Sequence, residues 1–162
     1  MILKRNKKKH IIKEIYNLSK KSKSAIIINF SGISTNEINK FRKISSKKNV
    51  IIKVIKNTLL KMSIQKTNYK CLKKIIKGPT LIAYSMKHPG SAVRLIKKNK
   101  KDYKLKPIIG SLEGKLISIK KLLIIPTYKE SIIKLINFLK EICIIRLIKI
   151  INIIKLKKEK KK

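Results

Sequence analysis

Acidic residues are scarce in this sequence. Aspartate and glutamate together occupy 7 of the 162 positions, against 44 lysines and arginines, and the formal net charge is +37. The acids are scattered, with no pair close in sequence and none placed at the end of a predicted strand, so they form no pattern for acid–base catalysis. A charge of this size repels itself unless a polyanion neutralises it, and nucleic acid is the natural candidate.

The basic excess also has an alternative origin. Lysine supplies 40 of the 44 basic residues, and isoleucine is the prevailing aliphatic residue. Lysine, isoleucine and asparagine all have A/T-rich codons, so genome-wide mutational bias would produce the same composition. The position of individual basic residues is therefore more informative than their number.

Cysteine, histidine and glycine are scarce as well. Cys71 and Cys143 are isolated, without the spacing of a metal site, and are predicted to be reduced and buried. His10 lies in a lysine run and is expected to be solvated, whereas His88 precedes Pro-Gly and is expected to cap a helix or lie at the surface. No glycine-rich phosphate loop or nucleophile elbow is present. We therefore expect no enzyme, no metal and no cofactor.

Long apolar runs are also missing. No run approaches the ~18 residues of a membrane-spanning helix. The first 18 residues lack the apolar core and the small-residue cleavage site of a signal peptide. These features predict a soluble, cytoplasmic protein.

Hydrophobic periodicity divides the chain near Pro126. Before it, the pattern predicts a helix, a β-α-β unit, a helical insert, a second β-α-β unit and a hairpin turning at Glu113-Gly114. This order predicts an α+β fold, a ferredoxin-like split βαβ domain with two layers and its helices on one face of the sheet. We assign residues 1–126 to this domain and residues 127–162 to a C-terminal helical extension with a basic tail.

Local signals mark several boundaries within this pattern. Ser34 with Glu37, and Thr127 with Glu130, have capping-box spacing at predicted helix starts. Pro89 suits the first turn of a helix that runs to about Lys101.

The stretch KVIKNTLLKM (53–62) lies at a predicted strand-to-helix junction. It gathers five polar residues around a helix start: Lys53, Lys56, Asn57, Thr58 and Lys61. Free backbone N–H groups at such a start, flanked by lysines, can bind phosphate. The alternative interpretation is that Asn57 only caps the helix and the lysines are solvated.

Residues 142–156, taken as one helix, are too apolar for that helix to lie on its own domain. Eleven of these fifteen residues are apolar, whereas an amphipathic helix needs an apolar stripe only a little over ~100° wide. The polar residues 146, 149, 152 and 155 recur every three positions, so the apolar face rotates along the helix. This pattern indicates partners that surround the helix.

The sequence resembles the bacterial stalk-base protein family of the large ribosomal subunit, L-ten. Four stretches carry the resemblance: IKNTLL (55–60), KCLKKIIKGPTLIAYSMKHPGSAVRL (70–95), GSLEGKLI (110–117) and IPTYKESIIKLI (125–136). The resemblance implies that the N-terminal domain binds large-subunit rRNA near an L-eleven-type protein. It also implies that the C-terminal helix carries dimers of the acidic L-seven/L-twelve stalk protein, which supports recruitment of translational GTPases.

The resemblance also implies site residues. The rRNA-facing residues would be the five named above together with the Gly-Pro-Thr motif, Gly78, Pro79 and Thr80. The apolar residues of the C-terminal helix would bind the stalk protein: Ile144, Ile145, Leu147, Ile148, Ile150, Ile151, Ile153 and Ile154. Where the family often has an aromatic-Arg-Gly turn, this chain has Phe30-Ser31-Gly32, and Ile142–Ile145 replace the small residues usual before the stalk helix.

Two other interpretations remain open. A cationic amphipathic protein lying on an anionic membrane surface would explain the C-terminal segment but not the folded domain. A generic nucleic-acid-binding module would explain the charge but not the apolar helix.

Overall fold

The structure, a computed structural model, describes residues 5–99 and 105–159. Its elements, in chain order, are α1 (Arg5–Lys21), β1 (Ser24–Asn29), α2 (Thr35–Lys47), β2 (Val50–Val54), α3 (Asn57–Ile64), a 3₁₀ helix (Lys70–Lys74), β3 (Thr80–Ser85), α4 (Ser91–Lys98), β4 (Lys106–Leu112), β5 (Lys115–Ile117), α5 (Ile119–Ile124) and α6 (Tyr128–Glu159). The end of the helix predicted to reach Lys101, the start of the following strand and the last residues of the basic tail lie outside the described residues.

The five strands form one open sheet in the order β2-β3-β1-β4-β5. Every neighbouring pair is antiparallel. Because β1 and β2 both run opposite to β3, their last residues lie at the end of the sheet where β3 begins. We call this end of the strands, which lies beside Asn57, the Asn57 end, and we call the other end of the strands, which lies beside Tyr69, the Tyr69 end. The predicted α+β class and split βαβ order are confirmed, with β5 added by the predicted hairpin.

Helices cover both faces of this sheet. On one face, Ile26 and Leu81 pack in a buried cluster that includes residues of α2, α4 and α5. On the other face, Ile27 and Tyr84 pack in a cluster that includes Ile15 of α1 and residues of α3. The expectation of two layers with helices on one face was therefore wrong. Strands that are buried on both faces read as continuous apolar runs, and β1 and β3 have that character.

The local signals act as predicted, with one exception at Pro89. Both capping boxes form, at Ser34–Glu37 and Thr127–Glu130. The hairpin turns at Glu113 and Gly114 with φ of 50° and 84°, as a two-residue type I′ turn requires. Pro89, however, precedes the helix rather than opening it, since Gly90 is the N-cap residue of α4. His88 accepts a hydrogen bond from the Gly90 amide at its Nδ1 (3.1 Å).

The chain separates into two compact units, Met1–Ile125 and Pro126–Lys162. The second unit is built on α6, which continues without a break through Ile142–Ile145. Cys143 lies on this helix and is exposed, so the prediction that both cysteines are buried was wrong for this one. Cys71, in the first unit, is half-buried with its Sγ 3.1 Å from Ser111 Oγ.

Candidate functional site

The two stretches that carry the sequence motifs meet at the Asn57 end of the sheet. Asn57 is the first residue of α3 and follows the N-cap residue Lys56. Its Nδ2 donates a hydrogen bond to the carbonyl oxygen of Gly78 (2.9 Å), and its Oδ1 accepts one from Thr80 Oγ1 (2.8 Å). The interpretation of Asn57 as a helix cap was therefore wrong. Its side chain instead joins the start of α3 to the turn that enters β3.

The backbone of this turn brings the two segments close together. Gly78 has a φ of +72°, a left-handed conformation that glycine adopts at little cost. The Phe30 amide, just after β1, donates a hydrogen bond to the Pro79 carbonyl (3.3 Å). Three chain segments thus line an open groove of about 360 Å³, whose lining residues are Phe30, Val54, Ile55, Lys56, Asn57, Gly78, Pro79 and Thr80. Sequence reasoning had not assigned Phe30 to the site.

The rim of the groove offers donors and positive charge. No side chain among the described residues caps the start of α3, so its first backbone N–H groups are available to an anion. Lys56 and Thr58 are exposed beside it, and Lys61 is half-exposed one turn later. Thr80, by contrast, is only 3% exposed. Its hydroxyl therefore supports the groove rather than facing a ligand.

Lys53 has a partner inside the first unit. Its Nζ lies 2.8 Å from Glu14 Oε1 on α1, and both side chains are about 40% exposed, at 39% and 41%. The pair joins β2 to α1 on the face of the sheet that α3 also covers. Of the predicted basic residues, Lys56 and Lys61 are consequently the ones that no acidic partner holds within the described residues.

A larger cavity, of about 670 Å³, opens at the Tyr69 end. The hydroxyl groups of Ser19, Ser22, Thr67 and Tyr69 in its lining are already paired. Ser19 Oγ donates to Tyr84 OH (2.9 Å), and Tyr69 OH donates to the Ser22 carbonyl (2.8 Å). Burial raises the pKa of both tyrosine phenols, so they remain neutral. This network holds the end of α1 against the sheet and contains none of the residues that the sequence motifs singled out.

The described residues offer little else for chemistry. Among residues 5–99 and 105–159, no group of three histidine, cysteine or acidic side chains is placed to hold a metal ion. None of the described helices combines the length and the apolar character that crossing a membrane requires.

The second unit presents an apolar surface on nearly every side. All eight residues predicted to bind a partner are 51–60% exposed: Ile144, Ile145, Leu147, Ile148, Ile150, Ile151, Ile153 and Ile154. Six residues earlier on α6 are 40–58% exposed and were missed: Ile132, Ile133, Leu135, Ile136, Phe138 and Leu139. Because the same dense apolar pattern runs through both halves, it could have identified the first half as well.

Comparison with known proteins gives one consistent result. Residues 3–101 match the family model described as "Ribosomal protein L10". The large ribosomal subunit protein uL10 of Buchnera aphidicola subsp. Cinara cedri is 50% identical over 152 residues, which cover 91% of this chain and 94% of that protein. The uL10 of Wigglesworthia glossinidia brevipalpis is 42% identical, over 91% of this chain and 94% of its own. That of Erwinia tasmaniensis is 36% identical, over 91% of each.

Proposed function

The chain belongs to the ribosomal protein L10 family, and on that premise we propose that its two compact units have two different binding functions. It is a protein of the large ribosomal subunit and not an enzyme. The first unit binds large-subunit rRNA at the stalk base. The second anchors dimers of the acidic L-seven/L-twelve stalk protein.

The meeting of the two motifs at the Asn57 end carries the rRNA proposal. Lys56, Asn57 and Thr58 come from one segment, Gly78 and Pro79 from another, and hydrogen bonds of 2.8 and 2.9 Å hold the two segments together. The uncapped start of α3 adds backbone N–H groups and the positive end of a helix dipole. Phosphate groups suit such a surface because they accept hydrogen bonds and neutralise lysine.

Removing two lysines of this surface tests the proposal. Lys56→Ala with Lys61→Ala should weaken binding to a stalk-base rRNA fragment and reduce the log–log salt slope by about 1–2. Lys47→Ala with Lys48→Ala is the matched control, because these exposed lysines lie at the end of α2, at the Tyr69 end of the sheet. An unchanged slope in the first variant, or equal losses in both, would show that these lysines are only solvated.

The exposed apolar length of α6 supports the stalk proposal. Fourteen apolar side chains between Ile132 and Ile154 are 40–60% exposed, over about 33 Å of helix at 1.5 Å per residue. Arg146, Lys149 and Asn152 recur every three residues, so the apolar face turns by about 60° from each to the next. A rotating face suits successive partner dimers better than one flat surface, and an acidic partner complements the charge of +37.

A charge placed on this surface tests the stalk proposal. Ile148→Asp, alone or with Ile151→Asp, should abolish pull-down of the acidic stalk protein, because each buried unpaired carboxylate costs several kcal/mol, on the order of 3–5. Asn152→Asp is the matched control: it adds the same charge at a polar position of the same helix and should retain the partner. rRNA binding should survive in all variants. If Ile148→Asp with Ile151→Asp keeps its partner, α6 is not the docking element.

These functions place the protein on cytoplasmic ribosomes beside an L-eleven-type stalk-base protein. The same preparations distinguish the rival functions. Strong binding to anionic liposomes without RNA would favour a membrane-surface protein. RNA binding without any gain from an acidic partner would favour a generic nucleic-acid-binding module.

A further inference from the structure

We infer that the first turns of α1 are a second part of the RNA-binding surface, an inference that rests on the rRNA binding proposed above. These turns are densely basic, and every side chain from residue 5 to residue 10 is exposed. The basic positions are Arg5, Lys7, Lys8, Lys9, His10 and Lys13. Within the described residues, none of them forms an ion pair, since the nearby acid Glu14 is held by Lys53.

Contacts along α1 determine which way this basic segment points. At the Tyr69 end, Ser19 Oγ bonds to Tyr84 OH at 2.9 Å. Further toward the helix N-terminus, Glu14 contacts Lys53 at 2.8 Å, and Lys53 pairs with Ile82 rather than Tyr84 in the sheet register. The N-terminus of α1 therefore points to the Asn57 end. α3 also begins at that end, and the two helices pack together. Both helices therefore begin at the Asn57 end of the sheet.

The basic segment reaches the level of the groove. Counting from the Glu14–Lys53 contact, Lys7–Lys9 lie five to seven residues along α1, or about 8–11 Å at 1.5 Å per residue. Lys56 lies three residues beyond Lys53, or about 10 Å at roughly 3.3 Å per extended residue. The lysines of α1 are thus level with Lys56 on the same side of the sheet. A nucleic acid on the groove can contact both.

The positive charges of the basic segment destabilise α1 when no RNA is bound. α1 has no acidic residue in its first turn, and cations at a helix N-terminus oppose the helix dipole. Arg5, Lys9 and Lys13 are also spaced four residues apart, which places like charges next to one another. Lys20 and Lys21, in the last turn, favour the dipole instead. Of the two basic ends of α1, the N-terminal one therefore opposes the helix dipole, and the phosphates of a bound RNA would relieve that repulsion.

Two variants of the full-length chain with equal charge test the inference. Lys7, Lys8 and Lys9 are changed to Gln in one, and Lys20, Lys21 and Lys23, all exposed at the Tyr69 end, are changed to Gln in the other. Binding to the stalk-base rRNA fragment is measured from low to high salt. The first variant should lose about 2 units of log–log salt slope, and the second much less. Without RNA, the first variant should melt at or above the wild-type temperature, because it loses charges that oppose the helix dipole.

Each outcome decides between clear alternatives. If the Lys7–Lys9 variant keeps the wild-type slope while Lys56→Ala with Lys61→Ala lowers it, α1 is not part of the surface and the proposed rRNA function stands. If neither the Lys7–Lys9 variant nor Lys56→Ala with Lys61→Ala changes the slope, the proposed rRNA function fails too. If both triple variants lose the same slope, the contribution is diffuse charge and the inference is overturned. A larger loss in the second variant would move the surface to the Tyr69 end.

Discussion

The hydrogen bonds of Asn57 allow the groove to be tested without removing any charge. Asn57→Ala breaks two bonds, one to the Gly78 carbonyl (2.9 Å) and one from the Thr80 hydroxyl (2.8 Å). The first bond is exposed and should contribute about 1 kcal/mol, and the second should contribute about 1–2 kcal/mol because it leaves a buried hydroxyl without its acceptor. The expected loss in the free energy of unfolding is about 2–3 kcal/mol.

Three further variants test whether Asn57 joins two chain segments or caps α3. Asn57→Ser should cost nearly as much as Asn57→Ala, because serine is too short to reach both Gly78 and Thr80. If Asn57 were instead an N-cap, serine would preserve stability, since the two residues are equivalent there. Thr80→Val, which keeps the side-chain shape, should cost about 1 kcal/mol, and the double variant with Asn57→Ala should be less than additive by about 1 kcal/mol.

The assay is chemical denaturation followed by circular dichroism, with rRNA-fragment binding measured on the same samples. The denaturation midpoints should fall with the slope m unchanged. Asn57→Ala should weaken rRNA binding without changing its salt slope, because no phosphate contact by a lysine is lost. Wild-type stability in Asn57→Ser, or additive losses in the double variant, would refute the bridging role of Asn57.

The remaining predictions concern the core and the division into two units. A chain that ends at Pro126 should unfold cooperatively and still bind rRNA; loss of cooperative unfolding would assign α6 to the core. Gly110→Ala should destabilise by about 1–3 kcal/mol, measured by denaturation, because a methyl group there would overlap Cδ1 of Leu122; wild-type stability would mean that Leu122 moves freely. Because α6 exposes so much apolar surface, the chain expressed alone should aggregate, and co-expression with the acidic stalk protein should keep it in solution; equal solubility without the partner would contradict this.

Sequence alone determined the features that depend on residues close together in the chain. The order of helices and strands, both capping boxes and the hairpin at Glu113 follow from periodicity and side-chain–backbone bonds that span only a few residues. The apolar character of α6 was equally readable, because the residue types along a helix are given by the sequence and do not depend on what surrounds the helix. The resemblance, which the comparisons confirm as family membership, rested on contiguous motifs of the same local kind.

Only the tertiary structure decided which of these features meet. The Asn57 and Gly78–Thr80 segments come together because β3 lies between β1 and β2 and runs opposite to both. The same strand order brings Lys53 to Glu14 on α1, and the second helical layer buries the face that the sequence analysis left open. Strand order and register depend on packing between residues far apart in sequence. The hydrophobic pattern of one strand or helix does not identify the element that packs against it.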